Sequence, residues 1–163
     1  MIQDIYPHIY KNAFQTGVTP TDNDIIFSFE EDQVLMKDEH QFYRYHEISK
    51  KSSCYYLFSI DNLKFFLADL TSLNHIKVSF RSMRTFENRM LGFAAITAWQ
   101  LYRWIQDNKY CGKCGRPMDF DQKERAMRCP HCSNIVYPKI SPAVIVGIIN
   151  DKGQILVTKY AHG

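Results

Sequence analysis

Cys111-Gly112-Lys113-Cys114 and Cys129-Pro130-His131-Cys132 are two Cys-x2-Cys turns separated by fourteen residues. The x2 spacing lets two thiolates of one tight turn face the same ion, and Gly112 and Gly115 let the backbone curl around the sulfur. Two such turns supply the four soft ligands of a closed tetrahedral site, the pattern of zinc held by Cys111, Cys114, Cys129 and Cys132. Four cysteines leave no position for a catalytic water, so the zinc expected here is structural. A rubredoxin-like iron site uses the same thiolates and stays open on spacing alone. Paired disulfides are disfavoured where thiols stay reduced, and a thioredoxin-like pair would leave the second turn unexplained. His131 reads as a solvent-facing knuckle residue, and Cys54, in a strand pattern, as a buried small hydrophobe.

Upstream of the first turn the pattern is helical. Thr85 is a candidate cap and Glu87 suits a first turn. Apolar side chains recur at Phe86, Met90, Phe93, Leu101 and Trp104, and a second stripe at Leu91, Ala94, Ala95, Ala98, Tyr102 and Ile105 widens the face. Such a helix should lie buried between two layers or two subunits and end near Asp107-Asn108. Further upstream, Ile25–Phe29, Val34–Lys37, Phe42–Ile48, Cys54–Ile60 and Leu63–Leu70 read as strands of an antiparallel meander, with turns at Glu30-Glu31-Asp32, Asp38-Glu39-His40 and Asp61-Asn62. Downstream, Ala143–Ile149 and Gln154–Lys159 read as a hairpin closed by Asn150-Asp151-Lys152-Gly153. A buried-looking hairpin with no helix to cover it reads as the opening of a domain that has been cut.

Composition bounds the rest. Of 163 residues, 45% are hydrophobic and 14% aromatic, enough to bury a core and to exclude intrinsic disorder. The longest apolar run, Ala143 to Ile149, is too short to span a bilayer. The first residues carry no basic segment followed by an apolar one, so cytoplasm is the expected compartment. The net charge is +3. Lys109 to Lys139 holds seven basic residues against three acidic ones, but four thiolates on one zinc ion would halve that local excess of +4. The patch is too mild to announce a nucleic-acid binder.

No other constellation declares itself. There is no Gly-rich phosphate loop, and no His pairs with a Glu at helical spacing. His46-Glu47 reads as a strand-edge pair rather than an acid–base couple. Glu30-Glu31-Asp32 reads as a solvated turn rather than a metal site.

The Ala-rich helix running into Trp104, the two Cys-x2-Cys turns, and Tyr137-Pro138-Lys139-Ile140-Ser141-Pro142-Ala143-Val144-Ile145 together resemble the NADH pyrophosphatases of the Nudix superfamily, from about Phe86 to Tyr160. The resemblance implies an α+β chain. An antiparallel β-rich, Nudix-like domain with one long buried helix (1–108) would be followed by a zinc ribbon (109–138) and the first hairpin of a truncated Nudix domain (139–163). It further implies a typically homodimeric enzyme that hydrolyses NAD(H) to nicotinamide mononucleotide and AMP. Some members remove NAD caps from RNA. Mg²⁺ or Mn²⁺ on a carboxylate helix would do the chemistry.

That helix is the Nudix box, G-x5-E-x7-R-E-U-x-E-E-x-G-U with U apolar. The sequence contains no Arg-Glu dipeptide, and its one Glu-Glu, Glu30-Glu31, has Ile26 and Phe27 where Arg and Glu should stand. The resemblance therefore covers the scaffold and omits the active site, so the chain is expected to be inactive alone. Tyr137, the aromatic before the family's Pro, is the one candidate substrate contact, for the nicotinamide ring. The competing reading is that Tyr137 packs the ribbon against the following strand. A second functional class, a binding module whose basic ribbon face engages nucleic acid or a protein partner, fits the same residues.

Overall fold

A computed structural model of the 163-residue chain describes residues 3–48, 52–139 and 144–158. Its strands run β1 (Tyr10–Lys11), β2 (Ile25–Phe27), β3 (Phe29–Glu30), β4 (Gln33–Met36), β5 (Tyr43–Arg44), β6 (Tyr55–Ile60), β7 (Leu63–Leu67) and β8 (Ile76–Ser79). One long helix follows, α1 (Arg89–Asp107), and then three short strands, β9 (Asp119–Phe120), β10 (Met127–Arg128) and β11 (Ile135–Val136). The architecture is α+β, with three sheets among the described residues.

The main sheet has the order β1-β6-β7-β2-β5. Its apolar runs are continuous because both faces are covered. Ile25, Phe27, Phe58 and Phe65 point to one cluster, which also contains Ala94, Ala95 and Ala98 of α1. Ile26, Tyr56 and Phe66 point to the opposite cluster with Tyr43, Ile48 and Leu70. Period-2 alternation thus feeds two cores from one strand. A register shift between Tyr56 and Phe58 places Leu57 and Phe58 in the same cluster, which strict alternation forbids.

The sheet departs from the expected meander in two places. β2 pairs with β7 in parallel, Ile25 opposite Phe65, so the chain crosses over rather than returning strand by strand. The segment expected as a strand from Phe42 to Ile48 keeps only β5 and then turns through a 3-10 helix at Tyr45–Glu47. There the Glu47 carboxylate accepts from the Arg44 N–H at 2.9 Å and pairs with Lys37 Nζ at 2.5 Å, holding the chain out of the ladder. His46 reaches the Asp22 carbonyl instead, so the two residues act separately. Strand β8, for which no expectation was formed, pairs with β4.

The helix begins later than Thr85. Phe80–Thr85 forms a 3-10 turn, and Asn88 is the cap, its Oδ1 accepting from the Leu91 N–H at 3.0 Å. The buried face is the small-residue stripe, Gly92, Ala94, Ala95 and Ala98, continued by Trp104 and Ile105. Phe93 and Leu101 are only half-buried, because a side chain longer than alanine would hold the helix off the sheet. The end at Asp107 is as expected.

The Glu30-Glu31-Asp32 turn is solvated, with Lys77 Nζ 2.7 Å from Glu30 and Arg103 3.6 Å from Asp32. The Asn150 turn also forms, with Gly153 in the left-handed region and its N–H donating to the Asn150 carbonyl at 3.0 Å. The flanking strands do not form as expected. Among the described residues only a bridge between Ile149 and Ile155 joins the two arms, and Ile145, Val146, Leu156 and Val157 are exposed. Ala143 and Lys159 lie outside the described residues.

Candidate metal centre

Each Cys-x2-Cys turn is built by the same pair of hydrogen bonds. In the first, the Cys111 N–H donates to the Arg116 carbonyl at 2.8 Å and the Gly115 N–H to the Cys111 carbonyl at 2.8 Å. In the second, Cys129 N–H bonds Asn134 at 2.9 Å and Ser133 N–H bonds Cys129 at 3.0 Å. Gly115 and Ser133 occupy equivalent places, both left-handed with φ of 72° and 58°. The backbone reverses after the second cysteine of each turn, and β9, β10 and β11 set the two turns facing each other.

The four sulfur atoms converge. All lie within 4.8 Å of one another, with Cys111 Sγ 3.6 Å from Cys132 Sγ and Cys114 Sγ 3.5 Å from Cys129 Sγ. A tetrahedral zinc site with Zn–S bonds near 2.3 Å has sulfur–sulfur edges of about 3.8 Å. The donor set and its spacing therefore fit zinc. Cys111 Sγ also accepts from the Lys113 N–H at 3.4 Å and from Asn134 Nδ2 at 3.7 Å. Burial opposes ionisation of Cys111, but the backbone N–H groups of Lys113 and Cys114 and the neighbouring thiols outweigh it and bring the thiol down to about 6. Cys114 has the Arg116 N–H favouring its thiolate, yet burial and the three other sulfurs push it up to about 12. Four crowded thiols cannot all lose protons without a cation among them; a divalent ion removes that conflict.

His131 is exposed and lies outside this cluster. Cys54 is half-buried rather than buried, with its thiol pushed up by burial, and is not a member of the cluster. Among the described residues the four cysteines are the one cluster of metal-ligating side chains. Tyr137 sits on the ribbon surface, half exposed, its hydroxyl donating to Glu124 Oε1 at 2.8 Å. That bond pushes the titration of the phenol above its ordinary range.

The centre is joined to the rest of the chain by contacts with no local sequence signature. Cys111 and Cys129 pack on Trp104 and Ile105 at the end of α1, together with Met118 and Met127. Phe120 stacks on Tyr55 of β6, with centroids 4.3 Å apart. Arg125 reaches across to donate to Asn12 Oδ1 at 2.5 Å and to the Leu57 carbonyl. Within the ribbon, buried Asp121 pairs with Arg128 and accepts from the Lys123 N–H at 2.8 Å. In sequence Arg125, Asp121 and Arg128 read only as members of a charge count, and Phe120 only as one of the aromatics.

Comparison with known proteins matches residues 106–137 to the NADH pyrophosphatase zinc ribbon domain. A NAD-capped RNA hydrolase NudC of Pseudomonas putida is 34% identical over 107 residues, covering 61% of this chain and 37% of that protein. The NudC of Pseudomonas fluorescens is 42% identical over 71 residues, 44% of this chain and 24% of its own length. That of Stutzerimonas stutzeri is 43% identical over 58 residues, covering 36% and 20% respectively. The matched stretch is thus 20% to 37% of the length of these relatives.

Proposed function

We propose, from the premise that this chain is a member of the NADH pyrophosphatase family, that its 163 residues form the non-catalytic scaffold of such an enzyme. The observation that carries this reading is the convergence of the four sulfur atoms at the end of α1. Cys111, Cys114, Cys129 and Cys132 hold a structural zinc ion, which cross-links the two turns and takes no part in bond breaking. The chain divides at 1–108, 109–138 and 139–163. The complete enzyme hydrolyses NAD(H), or the NAD cap of an RNA, at the pyrophosphate.

The carboxylates that would hold Mg²⁺ or Mn²⁺ are not among these residues, because the sequence carries no Nudix box. Tyr137 offers its ring for stacking on nicotinamide, a reading supported by its exposure. The apolar side chains of 144–158 favour self-association, consistent with a cytoplasmic homodimer.

An NADH hydrolysis assay on this chain with Mg²⁺ or Mn²⁺, separating the nucleotide products, is the direct test. No AMP is expected. AMP released above a zinc-only control would overturn the assignment of a catalytically silent scaffold. Zinc content read by elemental analysis should be one ion per chain and should be lost in Cys111→Ser. In the complete enzyme, Tyr137→Ala should raise KM for NADH while leaving zinc content unchanged.

A further inference from the structure

A cavity of about 350 Å³ opens where β1, α1 and the ribbon meet. Tyr10 and Asn12 come to it from the N-terminal edge, Gln100 and Trp104 from α1, and Arg125 and Lys139 from the ribbon side. Two cationic side chains line it and, among the described residues, no carboxylate does. The Tyr10 ring and Leu101 give it an apolar side.

Two of the residues that line it each carry an N–H with no acceptor. Trp104 Nε1 and Arg125 Nε are buried and unpartnered, and they are the two such side-chain atoms among the described residues. Trp104 is only 7% exposed. Arg125 is anchored, since its two Nη atoms already donate to Asn12 and to the Leu57 carbonyl. A buried donor without an acceptor is costly, more so on a charged group, and two of them around one cavity call for a common acceptor. A species that brings only acceptors and a negative charge answers both deficits.

We propose that this cavity binds a small oxyanion, phosphate or carboxylate, which accepts from the Trp104 indole and the Arg125 guanidinium and is flanked by Lys139. The apolar side lets the anion be carried on an apolar body. Neither N–H touches solvent at rest, so engagement takes a rotation of the indole toward the cavity and a shift of the guanidinium that loosens its bonds to Asn12 and Leu57. The site stands apart from the proposed scaffold role and from the four cysteines, and it can fail without them.

The chain has two tryptophans, and the indole of Trp99 is already engaged with the Glu31 carbonyl at 3.2 Å. Trp99 is therefore an internal reference. The zinc-loaded chain would be titrated with inorganic phosphate and, separately, with acetate, following the two indole ¹H–¹⁵N resonances, with Trp99→Phe to assign them. A saturable shift confined to Trp104 is expected, with sodium chloride at matched ionic strength giving none. A response to phosphate alone assigns a phosphate-bearing ligand, to acetate alone a carboxylate, and to both their shared chemistry.

Arg125→Lys keeps the charge but removes the Nε–H, and should weaken the midpoint about tenfold. It also cuts the tie to Leu57. Lys139→Ala, at an exposed position, is the independent control and should weaken it about threefold. No shift with either anion, an equal shift at Trp99 or with chloride, or unchanged midpoints in both variants would overturn the proposal. If the two donors stay buried and unmet, the first of those results follows.

Discussion

The N-terminal sheets with α1 and the ribbon stand side by side and are held by different forces. Phe27, Phe58, Phe65 and Phe66 of the former are fully buried, and its main sheet is covered on both faces. The ribbon buries Met118, Ala126, Met127 and two of its own cysteines, and its strands are two residues long. So few side chains cannot offset the chain entropy of ordering some thirty residues, so the sulfur cluster must supply the difference. The contrast teaches where each region will fail. The first should yield to lost packing and the second to a lost ion.

Metal removal is the strongest way to break that comparison. The free energy of binding a structural zinc ion, about 10–16 kcal/mol in zinc-finger peptides near neutral pH, is folding free energy. Chelation should therefore unfold the ribbon while the N-terminal β signal in far-ultraviolet circular dichroism persists. The contacts of Trp104 and Ile105 with Cys111 and Cys129 sharpen this, because the last turn of α1 should lose hydrogen-exchange protection along with the ribbon. Protection unchanged through Asp107 would mean the two regions are independent.

Packing deletions act the other way. Phe65→Ala removes a fully buried ring that stacks on Phe27 and Phe58, and should cost about 3–5 kcal/mol by denaturant unfolding without altering zinc content. Gly92→Ala should cost about 1–3 kcal/mol, because an added Cβ would lie 2.5 Å from the Met83 carbonyl oxygen and 3.1 Å from Phe86. The strain separates α1 from the 3-10 turn before it and should leave the ribbon untouched.

The smallest effect is read as a shape. The Arg128 guanidinium and the Lys123 and Glu124 N–H groups hold the Asp121 carboxyl below the usual carboxylate range. A lowered folded pKa contributes stability that is full above the unfolded value of about 3.9 and is lost as pH falls through the folded value. Asp121→Asn should then be less stable than the parent near neutrality, with the gap closing below about pH 3.9. A gap that widened in acid would show that the pair with Arg128 does not stabilise the ribbon.

Much of this was legible from residue order, and the reasons are local. Cys-x2-Cys spacing fixes which sulfurs share a turn, because three peptide units span the distance whatever surrounds them. Turn residues marked the Asp61 and Asn150 reversals for the same reason. The end of α1 was also readable, but its start was not. Whether Thr85 or Asn88 caps depends on the 3-10 turn at Phe80–Thr85, which stacks Phe80 on Trp99 with centroids 3.7 Å apart.

What only the tertiary structure decided are the relations between distant segments. The parallel pairing of β2 with β7 and the bulge at Leu57 are matters of strand registry between distant segments, and the choice of the alanine stripe over the larger one follows from how close a helix and a sheet can approach. The role of Arg125 is the clearest case. Its sequence neighbours mark it as one more surface cation, and its partners lie 113 and 68 residues away. Local chemistry is written in the order of residues, whereas a side chain's partners across the fold are set by packing that no short window of sequence contains.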